Sequence, residues 1–165
     1  MENRAGSRNF RAIWIRRLGS VIVRPAVVSD IPAILRIEQQ TEGAAHWTEE
    51  KYRKIFETEV PRRVVLVAED ELGVHGFGVI QLLDQECEVE NLAVLPEIRR
   101  RGVGKQLLGS LINLARNHGA ATIFLEVREQ NQAARSLYNK LGFTEGGWRK
   151  GYYHNPDEDA ILYRL

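Results

Sequence analysis

Residues 99–105 read Arg-Arg-Arg-Gly-Val-Gly-Lys and run directly into the amphipathic segment QLLGSLINLARN. Guanidinium and ammonium groups, exposed backbone N–H groups and the positive end of a helix dipole all attract anions, so this stretch suits a phosphate. Two nucleotide motifs fail against it. A Walker A loop needs glycine five residues before the Gly104–Lys105 pair and Ser or Thr after it, and Arg99 and Gln106 stand there. A dinucleotide fingerprint needs a third glycine where Leu107 is found. What remains is R-x-x-G-x-G between a strand and a helix. Gly102 and Gly104 lack Cβ atoms, so a ligand can approach the backbone and positive φ angles are open. Successive N–H groups then face one concavity, as at a pyrophosphate site. A glycine turn with solvated arginines would use the same residues.

The elements around this loop can be read from periodicity and punctuation. VIVRP is a short strand stopped by Pro25; Ser29 or Asp30 can cap the following helix, with Pro32 in its first turn. HWTEEKYRKIFE reads as a second helix capped by Thr48, with Trp47 packing on Tyr52 as a hydrophobic staple. RVVLVAED and VHGFGVIQLL form a hairpin about the turn ELG, and ECEVENLAVL is a further strand closed by Pro96. A helix starts at about Gly102, buries Leu107, Leu108, Leu111, Ile112 and Ala115, and ends at Gly119. ATIFLEVRE is a strand; NQAARSLYNKLG is a helix with Asn131 as cap and Gly142 as stop. FTEGGWRKGYY and EDAILYRL close the chain around the polar loop HNPDED. The order β-α-α-β-β-β-α-β-α-β-β predicts an α/β fold, with a central, mostly antiparallel mixed sheet of about seven strands and helices on both faces.

Composition bounds the function. At 165 residues with 44% hydrophobic and 27% charged side chains, the chain fits one globular domain and not a disordered one. A net charge of +1 lends no support to direct nucleic-acid binding. No apolar stretch approaches the roughly 20 residues that cross a bilayer. Cys87 is the single cysteine, which suits a reducing cytoplasm. His46, His75, His118 and His154 show no metal-ligand spacing, and no metal site is expected. Residues 1–20 form a basic extension, Arg4, Arg8, Arg11, Arg16 and Arg17 against the single acid Glu2. Its apolar part, AIWI, is too short for a secretory signal, and it lacks the amphipathic repeat of a transit peptide. A dispensable tail or an upstream start codon explains it, and the domain proper is expected over residues 21–165.

The loop after ENLAVLPE, then LEV, then N-x-A-A-x-x-L-Y-x-x-L-G-F resembles the GCN5-related N-acetyltransferase (GNAT) superfamily. The resemblance spans Val21 to Leu165 and is strongest in NLAVLPEIRRRGVGKQLLGSLI, LEVREQNQAARSLYNKLGF and RKGYY…EDAILY, which are similar to RimI-type ribosomal-protein-alanine N-acetyltransferases. It implies acetyl-CoA as cosubstrate and a protein N-terminus, a ribosomal protein's among them, as acceptor. The pyrophosphate would sit on Arg99, Arg100, Arg101, Gly102, Val103, Gly104 and Lys105, with Arg99 where many relatives have Gln. The pantetheine arm would pair with the backbone of Leu92, Ala93 and Val94 like an added strand. Asn131 matches a residue that hydrogen-bonds this arm, and a plain helix cap is equally good chemistry for it.

Acetyl transfer to an amine needs a neutral nucleophile and a protonated leaving thiolate. Glu126 shares a strand face with Phe124 and Arg128, opposite Ile123, Leu125 and Val127, and a surface glutamate would look the same. By resemblance it is the general base, and Tyr138 is the general acid, although Ala134, Leu137 and Leu141 on the same helix also fit a tyrosine packed in the core. Cys87 could in principle carry an acetyl group, but a lone strand cysteine is more often a core residue and the family transfers directly. Trp47 in AAHWTEEKY, together with Tyr152 and Tyr153, would wall the acceptor; AHW stands where Pro-Trp is typical of RimI. Asp157, Glu158 and Asp159 could draw a cationic N-terminus or simply be a solvated loop. A relative acting on lysine side chains or small amines, or a weakly catalytic acyl-CoA-binding module, would share much of this pattern.

Overall fold

The computed structural model describes residues 21–165; the basic extension of residues 1–20 lies outside the described residues. The elements follow the expected order: β1 (Ile22–Pro25), α1 (Ile31–Gln40), α2 (Glu49–Glu57), β2 (Arg63–Asp70), β3 (Gly73–Leu83), β4 (Glu86–Val94), α3 (Val103–Asn117), β5 (Thr122–Arg128), α4 (Gln132–Lys140), β6 (Thr144–Tyr153) and β7 (Glu158–Arg164). One seven-stranded sheet runs β1-β2-β3-β4-β5-β7-β6. Its pairs are antiparallel except β4–β5, which is parallel. A parallel pair cannot be joined by a hairpin, and α3 supplies the crossover.

Each face of the sheet carries its own core. Leu107, Leu108, Leu111 and Ala115 of α3 pack with Ile80, Cys87, Ile123 and Leu125 on one face, joined by Tyr138 and Phe143. Ile31, Ile34 and Ile37 of α1 and Tyr52 of α2 pack with Val65, Val67, Phe77 and Ala93 on the other. The close seat of α3 depends on glycine in β3. A Cβ at Gly78 would lie 2.6 Å from Leu111 Cδ1, and one at Gly76 would lie 3.0 Å from Leu107 Cδ1.

The punctuation works as read at most helix ends. Thr48 Oγ1 accepts from Lys51 N–H at 3.3 Å, and the Trp47 and Tyr52 rings lie 5.6 Å apart. Asn131 Oδ1 accepts from Ala134 N–H at 3.1 Å. Gly119 and Gly142 end α3 and α4 with φ of +92° and +89°. The start of α1 differs, because among the described residues no side chain caps it. Asp30 holds the cap position, but its carboxylate accepts from Val27 N–H at 2.8 Å and from Arg24 at 2.7 Å. A charge-assisted bond to guanidinium outweighs a cap bond. Arg24 also bonds Glu69 at 2.6 Å, tying α1 to β1 and β2.

Two irregularities at β4 shape the molecule's central opening. Val79 pairs with Asn91 but Ile80 pairs with Val89, so Glu90 is the extra residue of a β-bulge. Such a bulge turns neighbouring side chains to one face and bends its strand. The β4–β5 ladder runs from Glu86–Thr122 to Val89–Leu125 and goes no further, so the two strands part just beyond the bulge. A buried network holds the parted strand in place. Asn91 Nδ2 donates to Glu38 Oε1 at 2.6 Å, Tyr52 OH donates to the same oxygen at 2.9 Å, and Ala45 N–H donates to Asn91 Oδ1 at 3.3 Å. Burial pushes the Glu38 carboxyl above the usual range, against the opposing pull of these bonds.

Candidate active site

The parting of β4 from β5 leaves strand edges without a ladder partner. Leu95 N–H donates to His75 O at 2.9 Å, so strand alternation turns the backbone groups of Ala93 and Asn91 towards β3 as well. Leu92 and Val94 therefore point their N–H and C=O groups into the gap. Of the three residues expected to pair with an extended arm, these two offer backbone to it. Ala93 is turned the other way, its side chain buried in the α1/α2 core. Arg99 Nε already donates to Val94 O at 3.2 Å.

The glycine loop lies at the end of this strand. Arg100 and Gly102 both adopt left-handed backbone, with φ of +62° and +83°, and Gly102 is the residue before α3. The first helical bond is Gln106 N–H to Gly102 O at 3.0 Å, so the N–H groups of Val103, Gly104 and Lys105 precede it. Among the described residues no side chain caps them, and the first turn holds no acid. Arg99, Arg100, Arg101 and Lys105 are exposed, while the Val103 side chain is buried. Gly104 lets this turn close on its neighbours: a Cβ there would lie 3.4 Å from Leu137 and 3.8 Å from Val94. Exposed cationic residues, backbone N–H groups that precede the first helical bond and a helix start lie together in this loop, and these features fit a pyrophosphate.

A test follows from Gly102. Valine there would have to adopt a left-handed backbone, at a cost of about 1–2 kcal/mol, and would place methyl groups over the donor groups. Acetyl-CoA should raise the wild-type melting temperature, as a ligand of the native state does. Gly102→Val should melt lower by itself and show no shift on adding acetyl-CoA. An undiminished shift would remove the loop from the binding site.

A cavity of about 530 Å³ opens where the strands part, lined among others by Trp47, Leu92, Glu126, Asn131, Tyr138, Tyr152 and Tyr153. Tyr138 comes from α4 on the α3 side of the sheet. It is 7% exposed and packs at 5.9 Å from Phe143 and 5.6 Å from Tyr163, so it is a core residue whose surface also reaches the cavity. Burial raises its phenol pKa, keeping it protonated at neutral pH. Asn131 uses its carbonyl oxygen in the helix cap, which leaves the amide NH₂ as a donor on the cavity wall.

Glu126 comes from the opposite side. Its carboxylate is 15% exposed and bonds Arg149 Nε at 2.9 Å. Its hydrogen bond with Tyr152, aided by burial, raises the Tyr152 pKa. Tyr152 and Tyr153 meet edge to face at 5.1 Å, with Arg149 5.3 Å over the first ring and Arg128 4.3 Å over the second. Burial, with the Glu126 charge second, pushes the Tyr153 phenol up to about 12. Trp47 forms the facing wall, with Lys51 Nζ 3.3 Å over its ring.

The acids of the closing loop are engaged elsewhere. Glu158 accepts from Arg128 at 3.2 Å and from Gln130 N–H at 2.6 Å, while Asp159 accepts from Gly151 N–H at 2.8 Å. Asp157 is exposed and pairs with His154 at 3.1 Å. The cavity carries different acids, Glu88 and Glu90 of β4, which sequence reasoning missed. Their signal was the alternation ECEVE, which reads equally as a solvent face. Cys87 is fully buried on the α3 side, and burial pushes its thiol up to about 12, which disfavours the thiolate. Among the described residues no three His, Cys, Asp or Glu side chains gather as a metal-binding group, and no helix is long and apolar enough to cross a membrane.

Comparisons with known proteins bear on the family and the fold. Residues 31–143 match the model of the acetyltransferase (GNAT) family. The chain is 37% identical over 141 residues to the [ribosomal protein bS18]-alanine N-acetyltransferase of Salmonella typhimurium, covering 83% of this chain and 91% of the relative. The crystal structure of the ribosomal-protein-S18-alanine N-acetyltransferase from Escherichia coli superposes with a TM-score of 0.76 at 32% identity, covering 88% of this chain and 92% of that one. Ard1 from Thermoplasma volcanium superposes with a TM-score of 0.79 at 27% identity, over 89% and 97% of the two chains.

Proposed function

The chain belongs to the GNAT family of N-acetyltransferases, and we propose that its acceptor is the α-amine of a protein N-terminus beginning with alanine, that of ribosomal protein bS18 in the cytoplasm. The observation that carries this reading is the cavity at the parted strands. Glu126 and Tyr138 reach it from opposite sides of the sheet, and Tyr152, Tyr153 and Trp47 wall its acceptor side.

Acetyl-CoA, when bound, supplies a thioester, and moving its acetyl group to nitrogen needs a neutral amine and a proton for the departing thiolate. The loop from Arg99 to Lys105 holds the pyrophosphate by backbone N–H groups and charge. Leu92 and Val94 hold an extended amide-bearing arm by strand pairing, and the Asn131 NH₂ adds a donor. Tyr138, protonated at neutral pH, would give its hydroxyl proton to the departing sulfur and recover one from the attacking nitrogen as the amide forms. The Glu126 carboxylate takes the proton of the acceptor ammonium, directly or through water. Arg149 and Tyr152 fix its orientation.

The test is mass spectrometry of peptides incubated with acetyl-CoA. A peptide beginning with a free alanine should be acetylated in preference to the same peptide with a blocked N-terminus and a free lysine. An α-amine has a pKa near 8 and a lysine about 10.4, so at neutral pH the first yields its proton more readily. Preference for the lysine peptide would overturn the α-amine reading.

A further inference from the structure

Three carboxylates face the acceptor side of the cavity, and their charges are not equally met. Glu88 pairs in register with Phe124, which shares a strand face with Glu126, so Glu88 and Glu126 lie on the same side of the sheet. Glu90 stands on the bulge beside them. Glu126 bonds Arg149 at 2.9 Å, and Glu90 bonds Arg63 Nε at 2.6 Å. Arg63 spends a further donor on Gln81 at 2.8 Å. The Lys51 ammonium of α2 sits over the Trp47 ring. Among the described residues no hydrogen bond or ion pair reaches the Glu88 carboxylate.

We propose, resting on the α-amine reading above, that Glu88 docks a cationic nitrogen of the acceptor before transfer. Such a nitrogen is the α-ammonium itself or, where the second residue is basic, its side chain, and each presents N–H donors and a positive charge. The arrangement is costly without such a guest. Burial raises the proton affinity of Glu88, and the charges of Glu90 and Glu126 raise it further, against smaller opposite effects of Arg149 and Arg63. Tyr152 gives its hydrogen bond to Glu126 and brings no positive charge. A carboxyl raised above its ordinary value of 4.5 contributes favourably to folding below that pH, and the contribution is lost as pH rises. At pH 7 the unpaired charge therefore weakens the fold. Perturbed groups of this kind concentrate where a ligand is met.

The experiment compares wild type with Glu88→Gln at saturating acetyl-CoA, using peptides beginning Ala-Ala and Ala-Lys. A hydrogen-bonded charge pair is worth enough that its loss should raise the peptide KM by about 10- to 100-fold, with kcat within about twofold. The variant should melt no lower than wild type at pH 7. A KM rise on both peptides assigns the docked group as the α-ammonium; a rise confined to Ala-Lys assigns it as the side chain. Unchanged KM on both, a fall in kcat without a KM change, or a KM rise accompanied by a lower melting temperature would each overturn the proposal. Wild type that acetylates neither peptide would overturn the α-amine reading itself, an outcome visible without the variant.

Discussion

Glu126→Gln should bind acetyl-CoA as wild type does and lose about 10²–10⁴ in kcat/KM at pH 7, the scale of a proton-transfer group. The substitution keeps the side chain's length and its bonds to Arg149 and Tyr152 as far as an amide can, and removes the site that takes a proton. Its pH dependence separates base from mere positioning. Below pH 8 an α-amine is largely protonated and must surrender a proton on the enzyme; above it, solvent has already produced the nucleophile. The deficit on an alanine peptide should therefore shrink as pH rises from 6 to 10. A lysine acceptor would show no such recovery until far higher pH. A deficit constant across that range would leave Glu126 as an orienting residue.

Tyr138→Phe should lose about 10²-fold or more in turnover while melting temperature and acetyl-CoA binding are kept. The structure makes this a demanding test, because Tyr138 is also part of the core against Phe143 and Tyr163. Phenylalanine retains the ring and those contacts and removes the hydroxyl alone. Burial raises the phenol pKa, so wild type should lose its acid form only at higher pH than an ordinary phenol would. Turnover equal to wild type would leave Tyr138 with packing only.

Much of the frame was legible because each element carried its own local marks. Thr48 and Asn131 at caps, Gly119 and Gly142 at helix ends, and Pro25 and Pro96 at strand ends act within a few residues. Where a distant group competes, local marks mislead. Asp30 looked like a cap until Arg24 and Glu69 claimed the same neighbourhood. Glu158 and Asp159 looked available for a substrate, yet Arg128 and two backbone N–H groups hold them. The Glu126–Arg149 pair depends on strand order β5-β7-β6, which brings β6 beside residues far from it in the chain. The bulge at Glu90 is written in the register with β3 and not in β4 alone, which is why Glu88 and Glu90 read as solvent-facing acids.

The short parallel ladder also governs how the two ends of the molecule are coupled. Across that seam the sheet is stitched by four residue pairs, while β3–β4 on one side runs the length of its strands. The chain thus resembles two half-sheets sharing a narrow seam, with the rest of the join left for a guest. An extended molecule bridging Leu92 and Val94 would finish that join from outside. If the acyl donor pairs there as proposed, it would serve while bound as a temporary part of the scaffold. Melting of the sheet and exchange of the donor would then be coupled through the same strand edge.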